Sequence, residues 1–307
     1  MVSLQHDRDF DPRHGIAVEI AKAVRRLTAH NPGPFTWHGT NSYLIGRAEV
    51  AVLDPGPADA AHMDRLVAAA GEGRIAAILV SHTHMDHSPG ARLLKAMAGA
   101  PIVGCGPPRA ARPLNAGERN PLDASADSAH RPDRELKDGD TLVVDGLCLT
   151  AVETPGHTAN HLAFALDEGG ILFSADHVMA WSTSIVAPPD GAMSAYMASL
   201  ARLAERTDTR YLPGHGGPVE DPATYVAGLA AHRRKREQAI LDRLTAGAQT
   251  IPEMVATIYA DVDPALHGAA ALSVLAQVEW LVERGLVRCE DGSRDTPVTL
   301  ASRLAAT

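Results

Sequence analysis

Cysteine is scarce in this chain: Cys105, Cys148 and Cys289 are the three present in 307 residues, far apart and in no CxxC pair. Their odd number and spacing argue against a disulfide framework or a thiolate zinc site and fit a reducing compartment. Aromatic residues make up only 4%, so the core has to be built mainly from Ala, Val, Leu and Ile. Positive charge is short as well. The 28 Lys and Arg face 37 Asp and Glu, and a net charge of −9 offers no general attraction to nucleic acid or anionic membrane. No uninterrupted apolar run approaches the roughly 20 residues that span a bilayer. Met1 to Phe10 carries Asp and His where a secretion signal needs a basic start and an apolar run. The expectation is a soluble cytoplasmic protein without membrane association.

What is present is the balance of an ordinary globular chain, 45% hydrophobic and 21% charged. From about residue 35 to 220, short β-branched runs alternate with Gly, Pro, Asp and His. Asn41–Ile45 and Val50–Leu53 read as a hairpin around Gly46-Arg47. A helix follows over Ala60–Ala70, then a strand over Ile75–Val80. Ser88-Pro89 reads as an N-cap and first turn of a helix to about Ala98, with Ile102–Gly104 as the next strand. Residues 106–135, rich in Pro, Arg, Asn and Asp, read as a long loop, functional or mobile. Strands resume at Thr141–Asp145, Leu147–Glu153, Leu162–Leu166, Ile171–Ser174 and Arg210–Leu212, with a helix over Met193–Ala204. This order predicts an α/β fold of two sheets with helices outside.

After about residue 222 the strands stop. Helices are expected over Thr224–Ala246, Ile251–Tyr259 and Ala269–Glu283. Leu286–Cys289, Gly292 and Val298–Leu300 then read as a small β-wing, the order of a winged helix. The domains expected are therefore 1–220 and 221–307. The cluster Arg233 to Arg236 reads as a solvated helix face.

The decisive segment is Ser81-His82-Thr83-His84-Met85-Asp86-His87, directly after a strand and before a helix. Neutral imidazoles with a carboxylate suit zinc, and in a turn alternate residues converge on one point while Asp86 and His87 reach a second. Three further candidates, His157, Asp176 and His215, each follow a strand beside Gly, Ala or Pro. Strand exits on one sheet edge converge. Seven ligands match the need of two metals if one carboxylate bridges them and positions stay open for water.

The spacing HxHxDH followed by His157, Asp176 and His215 resembles the metallo-β-lactamase superfamily across residues 35–220. The resemblance implies a four-layer αββα sandwich with a C-terminal winged-helix-like domain. It implies a first metal site of His82, His84 and His157, and a second of Asp86, His87 and His215, with Asp176 bridging. Asp54 in Val52–Gly56 is similar to the superfamily's early Asp motif, which supports ligands; a plain turn residue is the alternative reading. Asn31–Thr36, Gly39-Thr40-Asn41, Thr154–Thr158, Tyr211–Gly216 and His232-Arg233 with Arg236-Glu237 resemble the mitochondrial β-lactamase-like endoribonuclease family. The 106–135 loop, longer than that family needs, departs from it.

Two zinc ions, with iron or manganese as alternatives, would bring a bridging water to a pKa of about 7 and so supply hydroxide. Asp86 is the expected catalytic residue, orienting that hydroxide and passing a proton to the leaving group. By resemblance the substrate is a phosphodiester of single-stranded RNA; the same hydroxide serves a small-molecule thioester, ester or lactone. Iron-dependent oxidation on this scaffold, or nucleic-acid binding by the winged helix, are further readings. From Asp221 onward nine Arg and Lys face eleven Asp and Glu, which speaks against DNA. The apolar helix at 269–283 is expected to pack on the catalytic part or in a homodimer. Asn160, His161 and His177 are expected to orient ligands, to touch substrate, or to be structural, and Trp181 to Ser184 to line the pocket. Arg109, Arg112, Arg119, Arg131 and Arg134 could form a basic mouth.

Overall fold

In the computed structural model of the protein, residues 4–115, 117–120, 122–290 and 294–301 are described. The chain opens with β1 (Val18–Ala21) and β2 (Val24–Thr28), a hairpin that the sequence pattern does not announce. Arg25 and Arg26 hide it. Their stems lie along the sheet while Arg26 stacks its guanidinium 4.3 Å from the Phe10 ring centroid and donates to the Asp11 carbonyl. β3 (Asn41–Ile45) and β4 (Glu49–Leu53) form the expected hairpin, and α1 spans Ala60–Ala70 as read.

β5 (Arg74–Val80) lies parallel to β4, and α2 (Gly90–Ala98) returns the chain to β6 (Ile102–Gly104). Ser88 does not cap α2. Its hydroxyl donates to Asp127 Oδ2 at 2.8 Å, and the first N–H of the helix, Gly90's, goes to the Gly56 carbonyl. The two-residue β7 (Arg134–Glu135) closes a seven-stranded sheet in the order β1 to β7.

β8 (Thr141–Val144), β9 (Leu147–Glu153), β10 (Leu162–Leu166), β11 (Ile171–Ala175) and β12 (Arg210–Pro213) make a second sheet, ordered β12-β11-β10-β9-β8. Its side chains alternate between two cores, as the two-residue strand period requires. Leu162, Phe164 and Leu166 face the first sheet, while Ala163 and Ala165 face the opposite way. Those small residues let Tyr196 and Leu200 of α3 (Met193–Ala204) pack close. With α1 and α2 on the other outer side, the result is an αββα sandwich.

α4 (Pro222–Leu244), capped by Asp221, α5 (Ile251–Ile258), with a Thr250/Glu253 capping box, and α6 (His267–Glu283) enclose a third core with the β13 (Val287–Arg288) and β14 (Thr299–Leu300) wing. Gly292, read as part of that wing, lies outside the described residues. Pro264–Glu283, interrupted by His, Gly, Ser, Gln and Glu, is the one segment among them long and apolar enough to cross a membrane by length and composition. Its apolar character has a use within the fold. Val274, Leu275 and Val278 fill the C-terminal core while Ala276 packs into the core under α3.

Gly156 marks where α3 presses on the exit of β9. Its φ is +141°, and a Cβ there would sit 2.3 Å from Tyr196 Cα. Gly156→Ala is therefore expected to lower unfolding free energy by about 3 kcal/mol or more. A urea denaturation curve within about 1 kcal/mol of wild type would contradict this close-approach argument.

Candidate metal centre

Strand exits build the site. β5 delivers His82, His84, Asp86 and His87; β9 delivers His157, β11 Asp176 and β12 His215. The structure brings all seven of these expected side chains together, in two groups. In the first, His84 Nδ1 lies 3.1 Å from His82 Nε2 and 3.0 Å from His157 Nε2. In the second, His215 Nε2 stands 3.2 Å from His87 Nε2, 3.2 Å from Asp86 Oδ2 and 3.3 Å from Asp176 Oδ2. Asp176 sits between the groups, with Oδ1 3.4 Å from His87 Nε2 and Oδ2 3.7 Å from His157 Nε2.

These donors fit a metal on three counts. An ion with tetrahedral bonds of about 2.0–2.1 Å to nitrogen places neighbouring donors about 3.3 Å apart, close to the spacing found. The outward nitrogens are already occupied: His87 Nδ1 by Asp54 Oδ2 at 3.1 Å, His157 Nδ1 by the Ile185 carbonyl at 2.6 Å, and His215 Nδ1 by the Gly39 carbonyl at 3.1 Å. Each of these rings thus donates outward and turns its other nitrogen inward. Asp176 Oδ1, finally, is buried with no hydrogen-bond donor of its own among the described residues.

Asp54 is not a mere turn residue. It accepts from His87, from the Ser81 hydroxyl at 2.6 Å and from the Ser81 backbone N–H at 2.8 Å. Ser81 in turn meets His82 Nδ1 at 3.0 Å, so one carboxylate orients two rings. His161 takes the Asp176 N–H at Nε2 and donates to Thr154 Oγ1. Asn160 ties Thr83 to the Gly106 carbonyl, a structural role. His177 is buried against the Tyr196 ring, away from the cavity wall.

The backbone bends sharply to hold this geometry. Ala175 and Asp54 adopt φ of +42° and +49°, a left-handed conformation that costs an alanine about 1–2 kcal/mol. A Cβ on Gly214 would lie 2.4 Å from Asp176 Oδ1, so glycine is needed there. Asn41, part of a motif whose role was not legible in sequence, holds the His215 turn by donating to the Pro213 and Gly216 carbonyls.

Burial and neighbouring imidazoles keep His82 and His157 below the usual histidine range and hold His84 at about 3, so all three offer lone pairs at neutral pH. Burial opposes protonation of His87 and His215 too, but Asp86 and Asp176 raise His215 to about 9 and His87 well above the usual range, so both inner nitrogens carry a proton at neutral pH that a bound cation would have to displace. Burial likewise disfavours the Asp86 carboxylate, yet His87 and His215 carry it well below the ordinary range. Asp86 is therefore held as a carboxylate.

A cavity of about 420 Å³ opens over the two groups. Its floor is His84, Asp86, His157 and Asp176, and its walls are mainly apolar: Phe35, Met85, Leu122, Met179, Ile185 and Leu272. Trp181 to Ser184 do not line it. Trp181 stacks on Trp37 at 5.3 Å, which leaves the flanking Met179 and Ile185 to face the cavity. The 106–135 segment shapes the wall through Leu122, Ala124 and Ser125 and is pinned there. Its Ala126–Asp127 portion runs beside the metal-motif turn, with Asp127 N–H on the Thr83 carbonyl at 2.7 Å.

The basic mouth expected from its arginines does not form. Arg109 donates to Ala159 O, Arg112 to Glu118 and Glu279, Arg131 to Ser128 O and Arg134 to Thr141 O. Arg119 is exposed, and among the described residues no Arg or Lys lines the cavity.

Fold and site together define a class: the chain belongs to the metallo-β-lactamase superfamily, whose profile matches residues 35–215, and it is a metal-dependent hydrolase of that class. A second profile, the β-lactamase-associated winged helix domain, matches residues 250–295. The chain is 30% identical to the β-lactamase-like protein 2 homolog of Caenorhabditis elegans, over 88% of this chain and 87% of that one. It is 26% identical to the atrochrysone carboxyl ACP thioesterase of a Cryptosporiopsis species, over 79% of this chain and 74% of that one. A metallo-β-lactamase family protein from Thermus thermophilus superposes with a TM-score of 0.74 at 25% identity, covering 91% of this chain and 98% of that one.

Asp54→Ala removes an anchor that no ligand supplies. It is expected to weaken zinc binding about 10–100-fold, measured by competition with a chromophoric chelator, while Asp176→Ala loses more. Zinc affinity of Asp54→Ala equal to wild type would rule out the anchoring role.

Proposed function

We propose that the protein holds two metal ions, chiefly zinc, and hydrolyses an apolar acyl ester or thioester. His82, His84 and His157 would form one ligand set, and Asp86, His87 and His215 the other, with Asp176 between them. The mixed imidazole and carboxylate set suits zinc, and iron or manganese accept the same donors. Ions held there would supply hydroxide near neutral pH and polarise the scissile carbonyl.

The observation that carries the substrate reading is the cavity wall. Phe35, Leu122, Met179, Ile185 and Leu272 surround the approach to the donors, and no cationic side chain lines it among the described residues. An acyl chain gains by leaving water against such a wall, at about 25 cal/mol per Å² of apolar surface buried. A polyanion would meet a protein of net charge −9 without a basic groove at the cavity. The thioesterase name of one relative is in keeping with this reading.

The chain's own groups have distinct tasks. Asp86, a carboxylate at the cavity floor, would orient the attacking hydroxide and pass its proton to the departing thiolate or alkoxide. Asp54 and the Ile185 and Gly39 carbonyls keep the rings from turning as charge develops. The apolar walls exclude competing water. Three widely spaced cysteines in no CxxC pair suit a reducing compartment, and we propose the cytoplasm as the place of the activity.

A four-substrate panel tests this with metal-replete protein: an acyl-pantetheine thioester, a lactone, a bis-aryl phosphodiester and single-stranded RNA. Thioester turnover should rise with acyl length and fall about 10²–10⁴-fold in Asp86→Ala. Salt-sensitive RNA cleavage with no thioester turnover would replace this reading by the endoribonuclease one.

A further inference from the structure

α4 carries a basic run at residues 233–236 that reads as a solvated face, yet Arg233 is only 4% exposed. It continues the buried side of the helix set by Val226 and Leu229. No carboxylate lies within ion-pair distance of it among the described residues, an arrangement with a large desolvation cost. Its guanidinium lies 5.0 Å from the Tyr196 ring centroid and donates through Nη2 to the Ser184 carbonyl. From α6, Gln277 Nε2 donates to the Arg233 carbonyl at 3.3 Å.

One residue beyond Ser184, the Ile185 carbonyl accepts the Nδ1–H of His157 at 2.6 Å. The Ile185 side chain also forms cavity wall. Residues 183–187 belong to no strand or helix, so no ladder fixes the height of these two carbonyls. The Ser184 hydroxyl reaches the Ile185 carbonyl at 3.4 Å from within the same segment, and the buried bond from the charged Arg233 ties the Ser184 carbonyl to α4; such a bond is strong in these surroundings.

We infer that Arg233 is a positioning residue for the metal site: by holding Ser184 it sets the Ile185 carbonyl that orients His157, so the C-terminal helices complete the centre. This rests on the reading of His157 as a metal ligand. An imidazole free to rotate about its ring axis offers its lone pair to the ion for less of the time. The loss should therefore appear in metal binding itself, before any substrate is added.

Cobalt(II) titration of metal-free full-length protein, followed by visible absorption, separates the possibilities. Arg233→Met is expected to keep the far-ultraviolet circular dichroism of wild type, bind cobalt about 10–100-fold more weakly and shift the ligand-field bands. Arg233→Lys, with one donor group on a flexible stem, should fall between the two. Wild-type affinity and bands in a folded Arg233→Met would overturn the inference. Should that variant fail to fold, Arg233→Lys decides: weaker binding supports the role and an unchanged spectrum and affinity overturns it. A wild-type protein that binds no cobalt would instead remove the metal-ligand reading on which the inference stands.

Discussion

Inward-facing nitrogen and oxygen atoms lie 3.0–3.7 Å apart in a largely buried space, and His82, His87, His157 and His215 cannot turn away without breaking an outward hydrogen bond. Burying this many polar and ionisable groups together is costly, so the surrounding structure has to supply the restraint that keeps them facing one another. Much of the architecture can be understood as that restraint. Strand exits set the places, glycines and left-handed turns set the angles, and Asp54 locks the first of the two sheets onto His87 and, through Ser81, His82. The dry cores behind the strands make the exits stiff, because close-packed interiors resist small displacements.

The same restraint explains why the C-terminal helices are bound so intimately to the sandwich. α6 lends Leu272 to the cavity and Ala276 to the core beneath α3, and Arg112 joins Glu279 of α6 to Glu118 of the long loop. The cavity wall is thus assembled from segments remote in sequence: the 122–125 turn, the 179–185 stretch and the start of α6. An apolar opening made in this way selects shape and hydrophobicity rather than charge, which is why substrate class is argued from the wall and chemistry from the floor.

The sequence was most informative where the physics is local. The HxHxDH turn, the Gly46 hairpin and the Ala60–Ala70 helix are legible because ligand spacing, turn residues and apolar period lie within one short segment. Legibility failed where a partner is far along the chain. Ser88 reads as a cap until Asp127 accepts its hydroxyl, and Arg233 reads as solvated until the Ser184 carbonyl accepts its hydrogen bond. The β1–β2 hairpin was missed because Arg25 and Arg26 look polar in a window, although their stems cover the sheet. For Arg233 a signal did exist: it sits four residues after Leu229 and seven before Ile240, on the helix's buried side.

The central claim is that these seven side chains form one centre for two ions. Calorimetric titration of zinc into metal-free protein counts them directly, with elemental analysis of the dialysed product as the check. The account predicts two equivalents per chain, falling below two when Asp176 is replaced by Ala. Saturation at one equivalent, unchanged by that replacement, would contradict it.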